Sequence, residues 1–208
     1  LEKGNVFESD VPLETRILVD NYPDSDDISQ GHKEFYFDIE VEVTDGFPEP
    51  SKAENKITSI AIYDKVVDEY SVLILANIQN SKKDNVIIES FRSEEELLQR
   101  FYQKYLEINP TILSGWNVDG FDVPYLYNRT TRVLGQQFAN TLSPIGKVYY
   151  NDRQSRFKIA GVSVLDYFKL YRKFTYTQQS SYRLDFIGQL EVGIGKVEYE
   201  GTLNDLYK

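Results

Sequence analysis

The chain has 208 residues, 27% of them charged and 41% hydrophobic. That balance fits one or two folded domains and excludes a disordered chain. With no cysteine and one histidine, His32, disulfides, thiolate metal sites, thiol nucleophiles and multi-histidine sites are excluded, so any chemistry falls to carboxylates.

Residues 1–33 read as a connector: they hold Pro12, Pro23 and the acidic run Asp24-Ser25-Asp26-Asp27, with only Thr15–Val19 apolar enough to pack. Glu34–Thr44 alternates at period two and is rich in Phe, Tyr, Ile and Val, which predicts a strand. After a Gly/Pro turn at Asp45–Pro50, Ile57–Tyr63 and Tyr70–Ala76 predict two strands separated by a polar turn, and Val86–Phe91 another. Ser93 ahead of Glu94-Glu95-Glu96 is an N-cap with acids in the first turn, opening a helix that Asn109-Pro110 stops. Thr111–Trp116 fits a buried strand, and Asp122–Leu134 a helix with Pro124 in its first turn and Gly135 at its end. Ile145–Tyr150 and Arg156–Ala160 predict a protruding β-hairpin, Ser163–Phe174 a helix capped by Ser163, and Tyr182–Leu190 a second helix. Strands first, then alternating helix and strand, predict an α/β domain with a mixed sheet.

Asp38 and Glu40 are two apart in the first strand, so both carboxylates share one face with Cα atoms about 6.5 Å apart. Ile39, Phe35 and Phe37 point the other way, into a core. Paired acids on one face suit hard divalent cations such as Mg²⁺ or Mn²⁺ clamped for phosphoryl transfer; spacing alone better fits the solvent side of an edge strand, with Asp38, Glu40 and Glu42 exposed. Asp122, where a Gly-containing loop opens a helix, reads either as an ordinary N-cap or as a carboxylate holding a second ion through water, with Asn117 fixing the loop.

The net charge of −10 is unevenly spread. Residues 1–100 carry 10 basic against 23 acidic side chains, whereas residues 123–183 carry ten basic against two acidic, interleaved with Tyr and Phe. Such a stretch suits backbone tracking and base stacking on a nucleic acid, or is a solvated face with half-buried rings. No apolar run approaches the roughly 20 residues of a membrane span and no signal peptide opens the chain, so the expectation is a cytoplasmic protein with no membrane partner. From the lack of any methionine the expectation is that the chain is a piece of something longer.

Phe37-Asp38-Ile39-Glu40, followed by Asn117-x₃-Phe121-Asp122, resembles the first two exonuclease motifs of family B DNA polymerases. Gly46–Pro50, Pro110–Arg129, Val162–Phe174 and the lead-in Val6–Asp20 are similar to the replicative polymerases of T-even-type phages, so the likeness covers nearly the whole chain. It implies a ribonuclease-H-like fold, a mixed central sheet flanked by helices, with residues 1–33 leading from a polymerase N-terminal domain and 34–208 forming a proofreading 3′→5′ exonuclease domain.

Carried over, Asp38 would bridge two metal ions, Glu40 would hold one and orient the attacking water, and Asp122 would hold the second mainly through water. Phe47 would stack near the terminal bases, or pack as an ordinary turn residue. Asn117 and Phe121 would shape the 3′ end, Lys196 would lie near the scissile phosphate or be a solvated loop lysine, and the hairpin would place Arg153 and Arg156 near its tip. The implied partners are a single-stranded DNA 3′ end, the primer–template and the rest of the polymerase chain; the implied compartment is the host cytoplasm.

The resemblance departs at the third motif, Tyr-x₃-Asp on a later helix. Its one match here, Tyr22…Asp26, precedes the first motif. The metal site is therefore expected to be incomplete and the chain weakly active or inactive. Two other readings compete: a non-catalytic nucleic-acid-binding module on the same fold, and an acidic half that docks a basic partner.

Overall fold

The structure, a computed structural model, describes residues 10–22, 30–44 and 46–197. Parts of the expected connector (1–9 and 23–29, with Asp26), Asp45 and residues 198–208 lie outside the described residues. The chain divides into two compact units, residues 1–31 and 32–208. In the first, the apolar run around Thr15–Val19 belongs to helix α1 (Leu13–Asn21), which buries none of its residues.

The second unit is built on a seven-stranded mixed sheet. Its strands are β1 (Glu34–Val41), β2 (Ile57–Asp64), β3 (Glu69–Leu75), β4 (Ser81–Lys83), β5 (Val86–Phe91), β6 (Ile112–Gly115) and β9 (Ser163–Asp166), in the order β4-β5-β3-β2-β1-β6-β9. β1 pairs antiparallel with β2 and parallel with β6. The edge-strand alternative for Asp38 and Glu40 is thereby overturned, because β1 has a neighbour on each side.

Alternation in β1 buries Phe35, Phe37, Ile39 and Val41 on one face and leaves Tyr36, Asp38 and Glu40 on the other. The register of β1 on β2 shifts after Glu40: Glu40 faces Ser59 but Val41 faces Ile57, so Thr58 is an extra residue on β2. The Thr58 hydroxyl donates to the Glu40 carbonyl at 3.1 Å. This β-bulge sits beside the second carboxylate of the pair.

The buried face of the sheet packs on helix α2 (Glu94–Ile108) and helix α3 (Asp122–Leu134). Phe35 meets Phe101 and Tyr105 edge-on, with ring centroids 5.9 and 5.3 Å apart. Ser93 caps α2 as expected, accepting from Glu96 N–H at 3.2 Å. Gly115 is where β6 runs against β1: a Cβ there would lie 2.7 Å from the Phe37 carbonyl oxygen. Backbone cannot step aside cheaply, so Gly115→Ala is expected to cost about 1–3 kcal/mol in urea unfolding, and a neutral result would mean that the strands separate freely.

The sequence reading needs correction downstream. Ser163–Asp166 is not the start of a helix but strand β9, parallel to β6 with Ile112 opposite Ser163. Helix α5 covers only Tyr167–Phe174, and its cap is Asp166, whose Oδ1 accepts from Phe168 N–H at 3.0 Å. Helix α6 begins at Leu184, two residues later than expected, and runs to Val192. Strand β4 and the short helix α4 (Gln136–Ala139) were not foreseen. The hairpin is present as β7 (Val148–Asn151) and β8 (Arg156–Ile159); its root buries Val148 and Ile159, and Phe157 lies 5.1 Å from the Tyr127 ring of α3.

Candidate active site

Beside the open face of β1 lies a cleft of about 900 Å³, lined by Asp38, Glu40, Trp116, Asn117, Tyr182 and Lys196, among others. The sheet supplies the first two, the loop after β6 supplies Trp116 and Asn117, and the segment after α6 supplies Lys196. Trp116 closes one wall. Its Nε1–H donates to the Tyr182 carbonyl at 3.1 Å, and its ring lies 5.7 Å from Phe168 of α5.

Asp38 is open to the cleft along one edge, yet the protein around it desolvates the carboxyl, and this together with the charge of Glu40 raises its pKa. Lys196, which lines the same cleft, acts in the opposite direction on Asp38. Asp122 is buried, 4% exposed. The N-cap alternative is overturned: Phe121 holds the cap position, and Asp122 is the first helical residue. Its Oδ1 instead accepts from Ile39 N–H at 3.1 Å, across to β1 between the two cleft carboxylates. Burial first, then the charge of Asp38, pushes Asp122 up to about 8, against the pull of the Ile39 hydrogen bond.

The carboxyls of Asp38 and Asp122 thus both resist ionising, through burial and then through a neighbouring charge, Glu40 for Asp38 and Asp38 for Asp122, which is the condition a bound cation relieves. Their oxygen donors fit a hard divalent ion. Among the described residues, however, no group of three or more acidic or histidine side chains converges closely enough to hold an ion. The donor set therefore fits direct contact from the Asp38–Glu40 face, with Asp122 behind it.

The loop between β6 and α3 is held by a residue the sequence reading did not single out. Asp166, buried at the end of β9, accepts from Asn117 N–H at 3.0 Å through Oδ1 and from Asp119 N–H at 3.2 Å through Oδ2. Asn117 itself has φ of 61°, and a Cβ on Gly120 would lie 2.5 Å from its side-chain oxygen. The sequence signal for Asp166 is an Asp directly before an amphipathic helix, obscured by Ser163 three residues earlier, which is as able to cap.

Phe47 is 83% exposed, and its ring centroid lies 5.5 Å from Phe121, which in turn stacks on Tyr125 at 5.4 Å. The reading of Phe47 as a turn residue packed on the sheet does not describe this placement. Arg153 is in the exposed turn at the hairpin tip, whereas Arg156 is turned inward: its guanidinium lies 3.5 Å from Asp119, which also takes Lys169 at 2.8 Å. Arg129 and Arg132, also in the basic stretch, bind other parts of the fold. A share of that stretch is therefore structural.

The model of the DNA polymerase family B exonuclease domain matches residues 25–187. The chain belongs to that family, and its mixed sheet flanked by helices is consistent with a ribonuclease-H-like exonuclease fold. It is 38% identical over 82% of its length to the DNA-directed DNA polymerase of Escherichia phage RB69 and 34% identical over 80% to that of Enterobacteria phage T4. It is 27% identical over 97% of its length to DNA polymerase 1 of Sulfurisphaera ohwakuensis. The chain spans 22% of the length of each phage polymerase and 21% of the archaeal one. Among the described residues no helix is long and apolar enough to cross a membrane.

Proposed function

We propose that residues 34–208 act as the proofreading 3′→5′ exonuclease domain of a phage-type DNA polymerase, hydrolysing the 3′-terminal phosphodiester of single-stranded DNA in the host cytoplasm. Residues 1–33 would lead in from a preceding domain. The observation that supports this reading is the pair Asp38 and Glu40 lining one cleft of a family B exonuclease domain, with buried Asp122 bonded to the strand between them.

Phe47 and Phe121 would hold the terminal base by stacking, since an exposed ring offers a face to any base. Asn117, fixed by Asp166, would border the sugar, and Lys196 would offset the charge of the scissile phosphate. Arg153 at the hairpin tip would meet the DNA backbone; Arg156, engaged by Asp119, would reach it only by exchanging partners. Asp38 and Glu40 would hold divalent ions, Mg²⁺ or Mn²⁺, with Asp122 adding charge through water. When bound, such ions supply stabilisation of the phosphate's growing negative charge and acidify the attacking water. Glu40 would accept a hydrogen bond from that water and aim it in line with the leaving 3′ oxygen, releasing a nucleoside monophosphate. Because Tyr-x₃-Asp occurs only at Tyr22…Asp26, turnover by this chain alone would be weak or absent.

The absence of a three-carboxylate cage among the described residues supports the second reading, a binding module without catalysis. Degradation of a 5′-labelled single strand with Mg²⁺ or Mn²⁺ separates the two. The expected result is a ladder shortening from the 3′ end, weak in this chain, strong in the full-length polymerase and lost from both in Asp38→Ala. A ladder that survives Asp38→Ala would remove the site assignment. Binding of the strand with no cleavage, even by the full-length polymerase, would establish the module.

A further inference from the structure

The segment between β1 and β2 carries Phe47, and helix α3 grips its second half, from Pro50 to Asn55. Four side chains from successive turns of α3 each take a backbone carbonyl. Asn128 Nδ2 donates to Pro50 O at 2.9 Å, Arg132 Nη1 to Lys52 O at 3.2 Å, and Tyr125 Oη to Asn55 O at 2.9 Å. Arg129 Nη1 spans two, Ala53 O at 3.2 Å and Glu54 O at 2.6 Å.

The grip holds a backbone that does not choose its own shape. Ala53 is fully buried in the left-handed region at φ 43°, a conformation that is strained for a non-glycine residue and persists only where surroundings impose it. The far end is tied as well: Glu94 Oε1 accepts from Ile57 N–H at 2.8 Å while the same carboxylate binds Arg129. Tyr125 joins both halves of the arrangement, since its ring stacks on Phe121 while its hydroxyl holds the segment.

We propose that Tyr125, Asn128, Arg129 and Arg132 form a splint that fixes residues 49–55 to α3 and so stands Phe47 against Phe121 as a preset stacking platform. They are positioning residues. None needs to touch DNA; they remove from the platform the ordering cost that an untethered ring would pay on binding. Because α3 also begins with Asp122, one helix sets both the platform and the buried carboxylate. The inference rests on the reading of Phe47 as a base-stacking residue.

The test combines Tyr125→Phe with Asn128→Ala in the whole chain, which removes two splint bonds while keeping the Tyr125 ring stack and the Arg129–Glu94 pair. Amide exchange is followed at Lys52 and Ala53, whose N–H groups bond Glu49 O at 3.1 and 2.9 Å. Exchange there should quicken at least tenfold while amides of β1 and α2 stay as protected as before. Affinity for a single strand with 2-aminopurine at its 3′ end should fall by the same factor as in Phe47→Ala, with no further fall when all three changes are combined. Unchanged exchange at Lys52 and Ala53 overturns the splint. A full additive loss on top of Phe47→Ala overturns it too, because the α3 residues would then act on DNA by another route. A Phe47→Ala variant that binds as tightly as the parent overturns the stacking reading itself, whatever the exchange shows.

Discussion

Arg129→Ala is expected to cost the protein about 3–5 kcal/mol, the penalty for leaving a buried charge without its partner. Arg129 and Glu94 meet at 2.6 Å with their side chains 11% and 7% exposed, so water cannot replace the guanidinium. The change also releases Ala53 O and Glu54 O. For a domain of this size that loss lowers Tm by roughly 6–20 °C, readable by calorimetry or urea unfolding. Adding Glu94→Gln should restore part of it, since a neutral amide oxygen still accepts from Ile57 N–H. A loss below about 1 kcal/mol would mean that the pair is wet and the segment is held elsewhere.

Asp122→Asn should act in the other direction. In the folded protein Asp122 titrates near 8, far above its ordinary 3.8, so folding favours the protonated acid. The stability this gives is fully present below the unfolded pKa and is lost as pH rises through the folded one. The parent, free of divalent ions, should therefore lose stability between about pH 4 and 8, and the asparagine variant, which keeps only the raised Asp38 carboxyl, should lose less. At pH 8 the variant should be more stable by about 1–3 kcal/mol, with the two converging near pH 4. Asparagine keeps the bond from Ile39 N–H, so the comparison isolates the charge. Millimolar Mg²⁺ or Mn²⁺ should raise the Tm of the parent more than that of the variant. A parent as flat in pH as its variant would show that Asp122 is solvated and that burial does not tune it. A stabilised variant that no longer cuts DNA is the trade expected of a site built on crowded charge.

What could be read from the sequence was local. The alternation of Glu34–Val41 announced which face would carry Asp38 and Glu40 because a strand's period is fixed by its backbone. Ser93 announced α2 because capping is a contact three residues long. The error at Ser163–Asp166 has the same root: the 3.6-residue pattern of Tyr167–Phe174 was extended backward through a β-branched run, and two residues able to cap a helix stood three apart. Strand β4 is Ser-Lys-Lys, with no apolar signal at all. The supports of the site were hidden for a different reason. Asp166 to Asn117, Glu94 to Arg129 and Asp122 to Ile39 join residues 35 to 83 positions apart, and only the packed sheet and helices bring them together. The same packing spent Arg156 and Lys169 on Asp119, so a count of basic residues overstated the cations free to meet DNA.

The extra residue at Thr58 bears on how this domain tolerates change. Sliding a strand by one position exchanges its faces, and here that would turn Asp38 and Glu40 into the core and Phe37 and Ile39 out to water. The irregularity opposite Glu40 and Val41 is a landmark that only one alignment of the two strands reproduces. A single deletion within 57–64 would erase the landmark along with the hydroxyl that binds Glu40 O. The spacing from Thr58 to the residues opposite the carboxylate pair is thus the least negotiable distance along the strand.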